Sequence, residues 1–170
     1  MRLFLGIDLP SAIDDHLALV GGGIPRARWE DRDKLHVTLR FIGEVDGGTK
    51  RQLEQAIEGV RLAPFTLSIA GVGCFPPRGK PRILWAGIDG AGPLHELHAK
   101  LERALAGAGL PPEGRRYTPH VTLARLGDAP PRKVAEFITH HALLRTAPFL
   151  VDSFQLYSSV LSPRGSKYRI

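Results

Sequence analysis

The sequence predicts an α+β fold, with helices laid over antiparallel sheets, and three observations predict it. Short apolar strings of period two are interspersed irregularly with stripes of helical period, unlike the regular strand–helix series of a parallel sheet. No glycine fingerprint of a dinucleotide-binding crossover accompanies them. The string HVTLRFIGEV at 36–45 returns almost unchanged as HVTLARLGDA at 120–129, close to half the chain further on, which predicts two similar lobes within one domain spanning 1–170.

RLFLGIDL at 2–9 reads as a strand, and Pro10 with Ser11 turns the chain into a helix over about 12–20, ended by Gly21, Gly22, Gly23 and Pro25. The first HVTL strand comes next, with Val37, Leu39, Phe41 and Val45 expected in the core. After the turn GEVDGGT, Leu53, Ala56, Ile57 and Val60 make a helical stripe. FTLSIAGVGCF and RILWAGI are strands on either side of the loop PPRGKP, and Leu94, Leu97, Leu101, Ala104 and Leu105 line one face of a long helix that stops at 107–109. The second HVTL strand follows PPEGRRYTP. Pro130 and Pro131 then open a helix carrying Val134, Phe137, Ile138 and Leu144, FLVDSFQLYSSVL supplies one or two strands, and KYRI a further edge strand.

Composition narrows the functional classes. The chain has 170 residues, 43% of them hydrophobic, enough for a sizeable core. One cysteine, Cys74, leaves no intramolecular disulfide and no cysteine-rich zinc site. No stretch approaches the roughly 20 apolar residues of a membrane span, and MRLFLGIDLP meets an aspartate and a proline too early for a secretory leader, so a cytoplasmic protein with no membrane partner is expected. Lysine and arginine number 23 against 17 aspartate and glutamate, a formal charge of +6, which favours a polyanionic partner without specifying nucleic acid.

The two HVTL strings carry the chemistry. Side chains alternate along a strand, so His36, Thr38 and Arg40 are expected on one face and Val37, Leu39 and Phe41 on the other, and likewise His120 and Thr122 against Val121 and Leu123. Imidazole titrates near neutrality, so of two facing histidines one can donate a proton while the other accepts one. Each threonine adds a hydroxyl donor, and four donors around one point suit a tetrahedral anion whose charge grows in the transition state, as in phosphoryl transfer. Neither a nucleophile–base–acid triad nor the paired carboxylates of a magnesium site are evident, which favours chemistry without metal or cofactor. The competing explanation is two duplicated structural strands whose polar groups bond to nearby backbone.

The motifs His36-Val37-Thr38-Leu39 and His120-Val121-Thr122-Leu123, with RLFLGIDLP at 2–10, GVGCFPPRGKPRILWAGI at 71–88 and YTPHVTLAR at 117–125, closely resemble the two-histidine (2H) phosphoesterase superfamily. Within it the likeness is to the RNA 2',3'-cyclic phosphodiesterases, also called 2'-5' RNA ligases. The resemblance implies a bilobal fold around a central cleft, RNA with 2',3'-cyclic phosphate ends (tRNA fragments among them) as substrate, and a monomer. It assigns His36 as the proton donor to the departing 3' oxygen, His120 as the proton acceptor that activates water, and Thr38 and Thr122 as phosphate-binding residues. Spacing alone is symmetric and leaves acid and base open. Family members often continue past the last strand, so a short final edge is expected here.

Further candidate substrate contacts are Arg40, expected in the groove or on the surface, and Arg125, off that face in a regular strand but near substrate by the resemblance. Phe75 and Tyr117 are candidate base-stacking residues or core, and Trp85 is expected to pack. His95, His98, His140 and His141 are expected to be solvated or partly covered histidines, not metal ligands. Three functions remain: hydrolysis of cyclic phosphate ends, 2'-5' ligation by the reverse reaction, and RNA binding without catalysis.

Overall fold

A computed structural model describes residues 1–159 and the backbone of 166–169. Strand β1 (Arg2–Asp8) buries Leu3, Leu5 and Ile7 on one face, and helix α1 (Ser11–Val20) starts after Pro10 and buries Ile13 and Leu17. A two-residue strand β2 (Arg28–Trp29) and a 3-10 turn (Arg32–Lys34) lead into β3 (His36–Glu44). Helix α2 (Gly47–Glu58) is capped by Asp46, whose carboxylate accepts the Thr49 amide at 2.7 Å. Then follow β4 (Phe65–Phe75), β5 (Ile83–Asp89) and helix α3 (Gly92–Gly107), which buries Leu94, Leu97, Leu101 and Leu105 as its stripe predicts. The last elements are β6 (His120–Arg125), α4 (Pro131–His140), β7 (Phe149–Val151), β8 (Gln155–Ser159) and β9 (Ser166–Arg169).

The α+β expectation is borne out. The strands form one curled sheet in the order β7-β4-β5-β6-β3-β1-β8-β9, with β2 added to β6, and every described pairing is antiparallel. It has two halves that repeat one register. In the first, β1 opposes β3 with Asp8 against His36 and Gly6 against Thr38; in the second, β5 opposes β6 with Gly87 against His120 and Trp85 against Thr122. Strands β3 and β6 meet at one registered pair, Val37 with Val121, so the two repeated strands lie side by side at the centre of the sheet, and β2 adds the pairs Arg28 with Arg125 and Trp29 with Ala124. Apolar residues of the strands and helices merge into one cluster on the face opposite the histidines, each large aliphatic side chain contributing about 1.5–3 kcal/mol by burial.

The repeated strands share one irregularity. The register slips between Leu5 and Gly6, opposite Thr38–Arg40, and again between Leu84 and Trp85, opposite Thr122–Ala124. Each slip inserts a bulge residue, which reverses the faces of the residues beyond it. Arg40 and Ala124 therefore turn into the buried layer, while Phe41 and Arg125 turn outward; Phe41 is 62% exposed, contrary to the core position that strict alternation predicts.

One boundary also differs, at the end of helix α4, while the C-terminal segments form strands as expected. FLVDSFQLYSSVL becomes two strands at opposite regions of the sheet, β7 beside β4 and β8 beside β1. Helix α4 ends at His140, so Leu144 lies beyond it. The C-terminal edge strand pairs with β8, and Ile170 falls outside the described residues.

Candidate active site

His36 follows the buried Leu35 at the start of β3. Its Nδ1 lies 2.7 Å from the Lys34 carbonyl oxygen and its Nε2 2.9 Å from the Thr38 hydroxyl. A carbonyl can only accept, so Nδ1 carries the hydrogen, and in the neutral ring Nε2 is a bare lone pair. His120 repeats the arrangement: its Nδ1 is 2.7 Å from the Thr118 carbonyl oxygen, again leaving Nε2 to accept or give the working proton. The same carbonyl at the same offset thus fixes both rings.

The residues opposite the histidines explain how the rings fit. A Cβ on Gly6 would stand 2.9 Å from the Val37 carbonyl oxygen and 3.1 and 3.3 Å from the rings of Tyr157 and His36. Only glycine leaves that space. In the other half the matching place holds Trp85, whose ring lies over Gly73 where a Cβ would be 2.3 Å away. Phe75 packs edge-on against His120, ring centroids 5.0 Å apart, and leans on Trp85 at 5.4 Å. On the first half Phe4 lies 4.9 Å from His36 and stacks on Tyr157 at 4.7 Å.

Burial pushes both histidines below the ordinary imidazole value. For His36 the Lys34 carbonyl, Glu30 and Asp8 pull the other way, while positive charge on His120 pushes it further down. For His120 the opposing influence is the Thr118 carbonyl. Two cations here oppose one another, so the doubly protonated pair is disfavoured. The halves are electrostatically unequal at one matched position: Asp8 faces His36 in the register where Gly87 faces His120. The Asp8 carboxylate accepts from the Tyr157 hydroxyl, and its amide donates to Gln155 Oε1 at 3.2 Å. Burial and then Asp8 push the Tyr157 phenol far up, so it remains a neutral donor.

The structure brings His36, Thr38, His120, Thr122, Phe75 and Arg125 to one face. Arg125 is exposed, its Nε 3.7 Å from Glu30 Oε1. Arg40 departs from expectation. Turned inward by the bulge and 7% exposed, it donates to Glu102 Oε1 of α3 at 2.5 Å and to the carbonyls of Phe41 and Pro111 at 2.6 and 2.5 Å. Tyr117 also differs from a base-stacking residue: its hydroxyl donates to the Thr38 carbonyl at 2.9 Å and its ring is stacked on His98, 4.1 Å away at 5°. His95 meets the same ring edge-on, and His141 packs on Phe137. Asp8, Glu30, Phe4 and Tyr157 were not singled out from the sequence, although Asp8 and Phe4 alternate with Leu5 and Ile7 in β1 and so share the histidine face.

A curled antiparallel sheet presenting two His-x-Thr strands side by side is the architecture of the two-histidine phosphoesterases. The 2'-5' RNA ligase superfamily profile matches residues 25–162, and the chain belongs to that family. The RNA 2',3'-cyclic phosphodiesterase of Aeropyrum pernix is 32% identical over 149 residues, covering 86% of this chain and 84% of the relative. That of Thermotoga maritima is 31% identical over 181 residues, covering 100% and 92%. Among solved structures, TT0787 of Thermus thermophilus superposes with a TM-score of 0.78 at 25% identity over 99% of this chain and 97% of its own. Escherichia coli LigT complexed with 3'-AMP gives 0.76 at 27% identity, over 99% and 94%.

Proposed function

We propose that the protein is an RNA 2',3'-cyclic phosphodiesterase that opens terminal cyclic phosphates to 2'-phosphomonoesters, with residues 1–170 acting as one unit and each half contributing one His-x-Thr. The observation that carries this is the matched pair of imidazoles, each with Nδ1 locked on a carbonyl, which leaves Nε2 as the nitrogen for proton transfer. The names of the relatives and the nucleotide held by LigT support the substrate class.

In this mechanism His120 Nε2 takes a proton from water as the water oxygen bonds to phosphorus in line with the bond to the 3' oxygen. That bond breaks, and His36 Nε2 gives its proton to the 3' oxygen. The products are a 3'-hydroxyl and a 2'-phosphate, with His120 protonated and His36 neutral until solvent resets the pair. The acid role of His36 is supported by Asp8 and Glu30, whose charges favour its imidazolium, and by the glycine at the position matching Asp8 in the other half. Thr38 serves both states: its hydroxyl donates to neutral Nε2, and once Nε2 is protonated and directs its hydrogen to the 3' oxygen, the hydroxyl turns its own hydrogen toward a phosphate oxygen. Thr122 holds a second oxygen and exposed Arg125 a phosphate, in a cytoplasmic reaction that needs neither metal nor cofactor.

The test is the product. A short RNA ending in a 2',3'-cyclic phosphate, incubated with the protein and chelator, is examined by phosphorus NMR. A 2'-phosphate end is expected. A 3'-phosphate reverses the roles of the histidines, and an intact cyclic end on tightly bound RNA makes this an RNA-binding protein. Added RNA with a 5'-hydroxyl detects 2'-5' joining, expected to be minor because the second RNA must be ordered where water is abundant.

A further inference from the structure

We infer that Tyr157 is a positioning residue for the acid: its hydroxyl holds the Asp8 carboxylate and so limits how firmly that charge retains the proton of His36; this rests on the reaction and the role of His36 proposed above. The hydroxyl donates to Asp8 and stands 3.5 Å from Gln155 Oε1, which already accepts the Asp8 amide. The phenol has one hydrogen, and a carboxylate takes it in preference to a neutral amide oxygen. Gln155 is itself fixed, 3% exposed and donating through Nε2 to Ser153 Oγ at 3.1 Å. Gly6 lets the phenol ring come close: Tyr157 and His36 flank the space that a Cβ there would fill, their ring centroids 5.6 Å apart.

The other half supplies the comparison. Phe4 and Ile83 hold the same place in their halves, opposite Phe41 and Arg125, and their partners on the other side are Tyr157 and Phe75. Tyr157 beside His36 is thus the counterpart of Phe75 beside His120. Both halves keep the ring, but the hydroxyl occurs only in the half that has a carboxylate, since Asp8 is matched by Gly87. Packing alone would be served by phenylalanine twice. Asp8 stands directly opposite His36, where cross-strand side chains start about 5 Å apart, so a carboxylate released from Tyr157 would turn to the imidazolium and hold the proton that the 3' oxygen needs. Held on the phenol, it favours the charged ring from a fixed place and the ring still lets go. The charged and titratable groups around the cluster are Asp8, Glu30 and His120 acting on His36, and Asp8 and Asp14 of α1 acting on Tyr157.

The experiment follows the titration of His36 by NMR of isotope-labelled histidines, its signals assigned by their loss in His36→Ala. Beside it, kcat/KM is measured against pH on an RNA ending in a 2',3'-cyclic phosphate, in the parent, Tyr157→Phe, Asp8→Asn and the double variant; urea midpoints confirm that each folds. In Tyr157→Phe the His36 titration and the alkaline limb should both rise by about half a pH unit, a roughly threefold tighter hold on the proton, and kcat should fall because that hold makes a poorer acid. Once Asp8 is asparagine, removing the hydroxyl should move neither. A His36 titration unmoved or lowered in Tyr157→Phe, or raised as much in the Asp8→Asn background, overturns the inference while leaving the hydrolase intact. A raised titration with an unmoved alkaline limb takes the acid role from His36 and overturns it as well. Failure of the parent protein to open the cyclic phosphate overturns the hydrolase, and the inference with it.

Discussion

Replacing Arg40 with methionine separates two accounts of the same residue. Strict strand alternation sends Arg40 to the phosphate; the bulge sends it into the layer between sheet and α3. The substitution would strand the Glu102 carboxylate, 21% exposed and 3.7 Å from His98, and deprive the carbonyls of Phe41 and Pro111 of a donor. Removing one partner of a buried ion pair costs about 3–5 kcal/mol, and the partial exposure of Glu102 places this case near 3 kcal/mol. With a urea slope of about 2 kcal/mol/M, the midpoint should fall by about 1.5 M. Adding Glu102→Gln removes the stranded charge and should restore part of the loss, as coupled neighbours do. Urea unfolding followed by circular dichroism, run beside kcat/KM, is the assay. A midpoint shifted by less than about 0.3 M with a collapsed kcat/KM would refute the reasoning and return Arg40 to the groove.

Two further substitutions probe the site. Asp8→Asn removes a charge that favours the His36 imidazolium, so its titration falls and the alkaline limb of kcat/KM, where the acid loses its proton, should move to lower pH; an unmoved or raised limb contradicts the assignment. Because burial lowers both histidines, the bell of the free enzyme should centre below the ordinary imidazole value of about 6.5, its limbs belonging to the coupled pair. Tyr117→Phe keeps the stack on His98 but loses the bond to the Thr38 carbonyl, so kcat should drop a few-fold with KM nearly constant and stability fall by about 1 kcal/mol. A raised KM at full kcat would instead mark the hydroxyl as a substrate contact.

The histidine face was legible because a period of two is a local property: His36 with Thr38, and His120 with Thr122, fall together whatever the strands pair with. The repeat added the second half. What local pattern could not show is the register slip, which depends on β1 and β5 lying opposite, so Arg40 and Phe41 were assigned to each other's faces. A warning was present in the second copy, where strict alternation puts Arg125 beside Val121 and Leu123 in the core and Ala124 outside. Asp8 escaped notice for a related reason. It stands far from His36 in sequence, and only strand pairing sets it opposite the histidine. The two fates of FLVDSFQLYSSVL likewise follow from long-range pairing with β4 and β1, which the segment does not encode alone.

Turnover of an RNA ending in a 2',3'-cyclic phosphate by His36→Ala and His120→Ala tests the paired-histidine mechanism most directly. Each ring makes a different proton transfer in the same step, so each single variant should lose about 100- to 10,000-fold in kcat, the range for general acid–base groups. RNA binding, measured separately, should change little, and the double variant should be far less impaired than the product of the two single losses. Either single variant keeping most of its kcat would contradict the mechanism.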